Sequence, residues 1–215
     1  MLTVYAVPVS LYCAKLRILL RAKRLEWREI LPPGGYGSQQ YRAIVASGNL
    51  PALQHDDLLL ADSEAVAEYL EERFPDPAMM PATIMARARM RERSRFHDCR
   101  LEPALRKLFP CIDPSCRDSR LQAVQSSEIS LRLEQLARLL DQPPELSFGL
   151  GDCGYPVTFA WIDQLESLLG LNIRWPQRIT TYRNFLTDQP SVAAELADYV
   201  PGLQAWLAGR NGASV

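Results

Sequence analysis

Three prolines in the segment PDPAMMP, at Pro75, Pro77 and Pro81, divide the chain into parts with different hydrophobic patterns. Before the segment, short apolar runs alternate with amphipathic stretches, whereas after it the apolar spacing is helical. Because proline lacks a backbone N–H and stops helices, we expect this segment to be a linker. The sequence therefore predicts an α/β domain over residues 1–80 followed by an all-helical domain over residues 81–215.

The α/β part has the predicted order β-α-β-α-β-β-α. Apolar runs bounded by turn residues predict strands, and apolar residues spaced by three or four predict helices. The predicted elements are a strand at 2–7, a helix at 13–25, a strand at 27–31, a short helix at 38–45 capped by Ser38, a hairpin at 51–61 and a helix at 63–74. The segment PPGGYGS between the second strand and the short helix is predicted to be a loop.

The helical part begins with one long predicted helix over residues 83–109, bent at Pro103. Further helices are predicted over residues 119–142, 157–171, 178–189 and 191–209. In the long helix over residues 83–109, Met90 and Ser94 are candidate pocket residues. The alternative is that this part of the helix is only a solvated basic face.

Charge and cysteine usage exclude several classes of protein. The 24 basic and 25 acidic residues give a net charge of −1, which argues against electrostatic binding to nucleic acid or to an anionic membrane. No apolar run reaches the roughly 18 residues of a transmembrane helix, and no signal peptide is visible. Five scattered cysteines favour free thiols, so we expect a cytoplasmic protein.

Ser10 and Cys13 stand at the junction between the first strand and the first helix. A helix N-terminus carries unpaired N–H groups and partial positive charge, so it stabilises an anion. A serine hydroxyl there is able to donate a hydrogen bond to the thiolate of a bound ligand. The alternatives are that Ser10 only caps the helix and that Cys13 only packs in the core.

Two further turns carry groups suited to a peptide-like ligand. In SGNLPAL, a cis bond at Leu50–Pro51 would present the backbone of Leu50 to an extended ligand, although an ordinary trans bond is the commoner case. In ADSEAVAEYL, Asp62 and Ser63 precede a helix, where they act as an ordinary cap or hold the charged end of an amino acid.

In this order and spacing, the motifs SxxC…KLR, SGNLPAL and ADSEAVAEYLEERFP resemble the glutathione S-transferase superfamily. They stand where that family has its catalytic turn, its cis-proline turn and its Glu/Asp-Ser motif. The resemblance covers nearly the whole chain and is to bacterial-type, serine-type members, similar to the tau, zeta and omega branches. It implies a thioredoxin-like N-terminal domain and an all-α helical-bundle C-terminal domain.

The resemblance also implies roles for particular residues. Ser10 would be the catalytic residue that hydrogen-bonds the glutathione sulfur, with Tyr5 of the first strand as the tyrosine-type alternative. The backbone of Leu50 would pair with the cysteinyl unit of glutathione, and Asp62 and Ser63 would hold its γ-glutamyl end.

Several other properties follow from the same resemblance. Glutathione is the implied co-substrate, a small electrophile the second substrate, and no metal is implied. A cytoplasmic homodimer with a role in detoxification is the implied assembly.

Two positions depart from the family pattern. Asn49 occupies a place where the family often has a basic residue, which weakens the expected hold on the glycyl carboxylate. In the helical domain, Thr158 fits the first residue of a Ser/Thr-x-x-Asp capping box, but Trp161 replaces its acid.

Three functions remain open at this point. The first is a glutathione transferase, and the second is a glutathione-dependent isomerase of the maleylacetoacetate type, whose SSC triplet is replaced by Val9-Ser10-Leu11. The third is a non-catalytic interaction or stress protein with the same fold. A zinc site is not expected, since the spacing of His97, Cys99, Cys111 and Cys116 fits no common zinc pattern.

Overall fold

The computed structural model describes residues 1–142 and 147–212 of the chain. Its N-terminal part contains a four-stranded mixed sheet with the strand order β2-β1-β3-β4. The first two strands are parallel, and the third and fourth run antiparallel to their neighbours. The strands are β1 (Leu2–Tyr5), β2 (Trp27–Ile30), β3 (Ala52–His55) and β4 (Leu58–Leu60).

Three helices accompany this sheet: α1 (Leu11–Ala22), α2 (Gln39–Arg42) and α3 (Ser63–Arg73). Each begins at a side-chain cap, with Ser10, Ser38 and Asp62 accepting hydrogen bonds from backbone N–H groups of the first turn. The apolar spacing in α1 buries one face of this helix, including Leu16 and Leu19. This arrangement is the predicted thioredoxin-like domain.

The C-terminal part is helical. It contains α4 (Ile84–Phe96), α5 (Glu102–Arg106), α6 (Ser119–Leu140), α7 (Tyr155–Leu169), α8 (Gln177–Thr187) and α9 (Pro190–Gly212). A π-helical turn (His97–Leu101) joins α4 to α5, and short 3-10 turns lie at Phe109–Ile112, Pro114–Cys116 and Leu150–Asp152. In the described ranges, no helix combines the length and the apolar character needed to cross a bilayer.

The proline-rich linker contains no regular element and is firmly attached to the N-terminal domain. The carboxylate of Glu71 accepts hydrogen bonds from the N–H groups of Met79 and Met80, and it pairs with the buried Lys23. The boundary at residue 80 remains a prediction, and residues 143–146 and 213–215 of the predicted second domain lie outside the described residues.

The single helix predicted over residues 83–109 is wrong in detail. The π-helical turn interrupts it six residues before Pro103, at His97. There, the buried imidazole of His97 contacts Asp98 and Thr158, each at 2.7 Å. The interruption therefore coincides with a tertiary contact to α7, which local sequence periodicity does not report.

The predicted capping residue Thr158 was also wrong. Thr158 lies inside α7, whereas the acidic half of a capping box is made by Asp152, whose carboxylate accepts the Gly149 N–H at 3.0 Å. A Cβ atom at position 149 would collide with the side chain of Met90 and the carbonyl of Met79. Packing therefore favours glycine at position 149, where a Ser or Thr would complete the box.

Candidate active site

A cavity of about 640 Å³ lies between the N-terminal ends of α1 and α3 on one side and helices α4, α5, α7 and α9 on the other. All five predicted site residues line it: Ser10, Asn49, Leu50, Asp62 and Ser63. Tyr5, the alternative to Ser10, is not among the lining residues. Three turns that are distant in sequence thus converge on one cavity.

Ser10 is both a helix cap and a cavity residue. Its hydroxyl oxygen accepts a hydrogen bond from the Cys13 N–H at 3.3 Å. A serine hydroxyl has one proton and two acceptor lone pairs, so this bond leaves the proton for a second partner. The two interpretations of Ser10 are therefore compatible with each other.

Cys13 is buried within α1, as expected for a packing residue. Burial raises the pKa of its thiol above the ordinary value, and the nearby Ser10 hydroxyl offsets only part of that rise. The thiol is therefore protonated at neutral pH and poorly suited to act as a nucleophile.

The second turn presents backbone groups to the cavity. The Leu50–Pro51 peptide bond is cis, and the Tyr41 hydroxyl donates to the carbonyl of Asn49 at 2.9 Å. Within residues 1–142 and 147–212, neither the N–H nor the C=O of Leu50 has a hydrogen-bond partner. Backbone groups next to buried side chains are usually paired, so Leu50 is able to bond an extended ligand.

The third turn is the start of α3. One oxygen of Asp62, Oδ1, accepts the N–H groups of Glu64 and Ala65, both at 3.0 Å. The capping interpretation is therefore correct, but the second carboxylate oxygen of Asp62 remains available. Ser63, the next residue, also lines the cavity.

The opposite wall is largely aromatic, and sequence reasoning missed it. Phe109 stacks on Trp161 with ring centroids 4.6 Å apart, and Trp206 meets Trp161 edge-on at 5.9 Å. Tyr12, at the start of α1, completes the aromatic lining. These side chains come from α1, α7, α9 and the turn after α5, so only the tertiary fold brings them together.

Charged groups lie among these rings. The Tyr12 hydroxyl donates to Glu102 at 3.2 Å, and Arg106 pairs with the same carboxylate. Burial, together with the charge of Glu102, raises the pKa of Tyr12 far above its usual range. Arg95 donates to the sulfur of Cys99 at 3.0 Å and forms no salt bridge with any described carboxylate.

A buried ionic cluster lies at the cavity wall, where Asp98 is one of the lining residues. Lys15 of α1 contacts Glu64 and Asp98, each at 2.9 Å, and Ser94 donates to the other oxygen of Glu64. Burial by itself disfavours the charged lysine, but Asp98 and Glu64 outweigh it, and the pKa of Lys15 is raised. The cluster fixes both cavity-lining helix starts against the C-terminal part.

The two pocket candidates Met90 and Ser94 do not line the cavity, since both are buried against neighbouring elements. The side chain that faces the cavity from this part of α4 is Arg95. A basic residue in an Arg-rich helix carries no distinguishing signal in the sequence.

The family profile described as "Glutathione S-transferase, N-terminal domain" matches residues 4–78, the segment that supplies all three turns. This first part of the chain is therefore similar to the N-terminal domain of glutathione S-transferases.

Relatives and solved structures agree with this assignment. A stringent starvation protein A homolog of Pasteurella multocida is 32% identical over 90 residues, which cover 42% of each chain. A maleylacetoacetate isomerase of Pseudomonas aeruginosa is 37% identical over 95 residues, 41% of this chain and 45% of the relative. A delta-class glutathione transferase structure from Nilaparvata lugens superposes with a TM-score of 0.84 at 15% identity, covering 98% of this chain and 100% of the other.

The matched segments span less than half the length of these two relatives. The structural superposition extends the shared fold over nearly the whole chain. Both parts of the chain thus share the fold of that glutathione transferase structure.

Proposed function

We propose that the protein is a glutathione transferase that activates the thiol of glutathione for attack on a small electrophile. The observation that carries this proposal is the unpaired backbone of Leu50, which faces the same cavity as the Ser10 hydroxyl and the start of α3. A tripeptide-like ligand has the matching groups: one backbone unit, one thiol and one charged amino-acid end.

In this proposal each turn holds one part of glutathione. Leu50 pairs its N–H and C=O with the cysteinyl unit, as a strand edge does with an extended peptide. The free oxygen of Asp62 accepts from the γ-glutamyl ammonium, and Ser63 donates to the γ-glutamyl carboxylate. Asn49 lies near the glycyl end and carries no positive charge. Arg95, on α4, forms no salt bridge with any described carboxylate, so its guanidinium is able to pair with a ligand carboxylate.

Glutathione would supply the nucleophilic sulfur, and Ser10 would hold it as a thiolate. The Ser10 proton and the N-terminus of α1 both favour negative charge at that place. Tyr12 keeps its proton because of its raised pKa, so it acts as a hydrogen-bond donor and not as a base. No covalent bond to the protein is required in this scheme.

The aromatic wall favours a flat, apolar electrophile. Phe109, Trp161 and Trp206 offer ring faces and edges, which bind planar molecules through stacking. The second substrate would thus lie between these rings and the thiol held by Ser10.

A glutathione-dependent isomerase is the second candidate, and the maleylacetoacetate isomerase relative favours it. The triplet Val9-Ser10-Leu11 lacks the SSC pattern of that branch. The two enzymes differ in one measurable way, because an isomerase regenerates free glutathione in each cycle and a transferase consumes it.

A non-catalytic interaction protein is the third candidate, favoured by the stringent starvation protein A homolog among the relatives. The absence of a basic residue at Asn49 agrees with it. An intact set of Ser10, Leu50, Asp62 and Ser63 on one cavity favours the transferase instead.

The deciding experiment is a pH titration of the ultraviolet absorbance of thiolate in bound glutathione, comparing wild type with Ser10→Ala. In a transferase, the pKa of the bound thiol lies well below the free-thiol value of about 8.5 and rises in the variant. Ser38→Ala is the matched control, because Ser38 caps α2 in the same way and does not line the cavity.

Other results would lead to different conclusions. Binding without a lowered thiol pKa would support the non-catalytic interaction protein. Absence of glutathione binding would overturn the proposal as a whole.

We also propose a serine-type, cytoplasmic homodimer that takes part in detoxification. Five free cysteines agree with a reducing compartment. Ile84 and Met85 are 87% and 77% exposed at the start of α4, which favours a partner surface there.

A further inference from the structure

Tyr199 of α9 reaches the turn that precedes Ser10. Its hydroxyl donates to the carbonyl of Val9 at 2.8 Å and accepts the indole N–H of Trp161 at 2.8 Å. Tyr199 is 4% exposed and Trp161 is 2% exposed, so both bonds are shielded from water. Shielded hydrogen bonds restrain their partners more strongly than exposed ones.

The direction of these bonds is fixed. The indole of Trp161 is only a donor, so the Tyr199 oxygen must accept from it and direct its own proton toward Val9. Burial raises the pKa of Tyr199 above the usual range, so this proton is present at all physiological pH values. The carbonyl of the residue before Ser10 is thereby held toward α9.

A second contact from the same helix supports the turn. Glu195 of α9, 2% exposed, accepts from Arg17 at 2.6 Å and from Arg21 at 3.3 Å. Arg17 in turn donates to the carbonyl of Pro8 at 3.0 Å. α9 thus holds two successive carbonyls of the turn. It bonds the Val9 carbonyl directly, and it holds the Pro8 carbonyl through Arg17.

The contact also links the two sides of the cavity. Trp161 lines the aromatic wall and stacks on Phe109, while its N–H begins the chain of bonds that ends one residue before Ser10. A displacement of the Trp161 ring would therefore also displace the turn that carries Ser10.

We propose that Tyr199 is a positioning residue that fixes the orientation of the Ser10 hydroxyl toward the glutathione sulfur. The proposal rests on the proposed transferase function, since it assumes that Ser10 acts on a bound thiol. Tyr199 itself acts only through Val9. Small displacements of a catalytic group lower the rate without weakening the binding of distant parts of a substrate.

The test is Tyr199→Phe, which keeps the ring and removes only the hydroxyl. We expect the pKa of bound glutathione thiol to rise, kcat at neutral pH to fall by about 10-fold, and KM for glutathione to stay within about 2-fold. The pH profile of kcat should move to higher pH, and activity should recover in alkaline solution.

Tyr182→Phe is the matched control. Tyr182 is also a fully buried tyrosine of the helical part, but its hydroxyl donates to Asp152 and it does not line the cavity. This variant should lower the melting temperature while the thiol pKa and the pH profile stay those of wild type. Equal shifts in both variants, or no shift in Tyr199→Phe, would overturn the positioning role.

Trp161→Phe gives a second route if Tyr199→Phe does not fold. It removes the N–H that orients the Tyr199 hydroxyl, and a smaller rise of the same thiol pKa is expected. An unchanged pKa in that variant would also contradict the proposal. Failure of the underlying transferase function would look different, because wild type itself would then show no lowered thiol pKa.

Discussion

At the residue scale, two cavity residues combine a structural role with a candidate binding role. Ser10 and Asp62 each cap a helix and also line the cavity, and the Ser10 proton and the second Asp62 oxygen are not used by the cap. A capping residue must sit at a helix N-terminus, which is also where anions and charged ligand ends are best received. The two roles therefore coincide for a physical reason.

The charge and the cap at Asp62 are separable by substitution. Asp62→Asn keeps an oxygen for the helix N–H groups and removes the negative charge, so we expect KM for glutathione to rise by about 10-fold with kcat nearly unchanged. That size corresponds to loss of a charge-assisted hydrogen bond, which contributes about 1.5–3 kcal/mol. Asp62→Ala should in addition destabilise the protein by about 1 kcal/mol through loss of the cap.

Steady-state kinetics and urea unfolding measure the two effects separately. Asp118→Asn is the control, because Asp118 caps α6 with the same two-bond geometry and lies outside the cavity. If neither substitution changed KM for glutathione, Asp62 would not be part of the binding site.

Sequence information was sufficient for residues whose role follows from their place in an element. Ser10, Asp62 and Ser63 precede predicted helices, and their residue types fit such positions. Arg95, Trp161 and Trp206 were missed because they come from α4, α7 and α9. Which faces of these helices surround the cavity depends on packing between distant segments, and periodicity within a helix does not specify it.

At the element scale, the buried carboxylate of Asp152 holds three parts of the helical domain together. It accepts from Arg93 of α4 through two bonds of 3.1 Å, from the Tyr182 hydroxyl of α8, and from the N–H of Gly149. Asp152 is completely buried, so no water replaces a lost partner. The carboxylate therefore sets the relative positions of α4, α7 and α8.

Asp152→Ala should destabilise the protein by about 3–5 kcal/mol, because it leaves the guanidinium of Arg93 buried without a counter-charge. Urea unfolding followed by circular dichroism measures the change. The control is Asp163→Ala, which removes a half-exposed pair with Arg183 and should change the free energy of unfolding by about 1 kcal/mol or less. Similar effects of the two substitutions would show that Asp152 has no special role.

The element pattern was predictable for most of the chain, and the exceptions have a common cause. Local residue order predicted the four strands, the linker and the main helices. The break at His97 and the capping position at Gly149 depend instead on contacts with Thr158 and Met90, which lie far away in sequence. Tertiary contacts thus overrode local preference at these two places.

At the scale of the whole molecule, the ionic cluster of Lys15, Glu64 and Asp98 joins the two parts of the chain at the cavity wall. Burial alone would raise the pKa of Asp98, but the hydrogen bond and charge of His97 and the charge of Lys15 lower it far below the usual range. Lys15 has a raised pKa for the complementary reason. Asp98 and Lys15 are thus both charged across neutral pH.

The direction of these shifts determines the pH dependence of stability. A carboxyl group whose folded pKa is depressed stabilises the protein above its unfolded pKa of about 3.9, and this stabilisation is lost as pH falls below that value. Lys15, with a raised folded pKa, stabilises the protein below its unfolded pKa of about 10.4, and its contribution is lost only as pH rises further. Acid should therefore separate the two parts through Asp98.

Asp98→Asn tests this prediction. Near neutral pH it should lower the free energy of unfolding by about 3 kcal/mol, because the buried Lys15 loses one of its two counter-charges. The difference between wild type and variant should shrink steadily as pH falls below about 4, since Asp98 of the unfolded wild type then binds a proton that the folded protein does not bind. Urea unfolding at a series of pH values measures that difference. Asp57→Asn is the control, because Asp57 is exposed in the turn between β3 and β4, and this variant should change the free energy of unfolding only slightly. If the difference for Asp98→Asn did not vary with pH, the carboxylate charge would not hold the two parts of the molecule together. The positions of the α1 and α3 N-termini around the cavity would then depend on apolar packing alone.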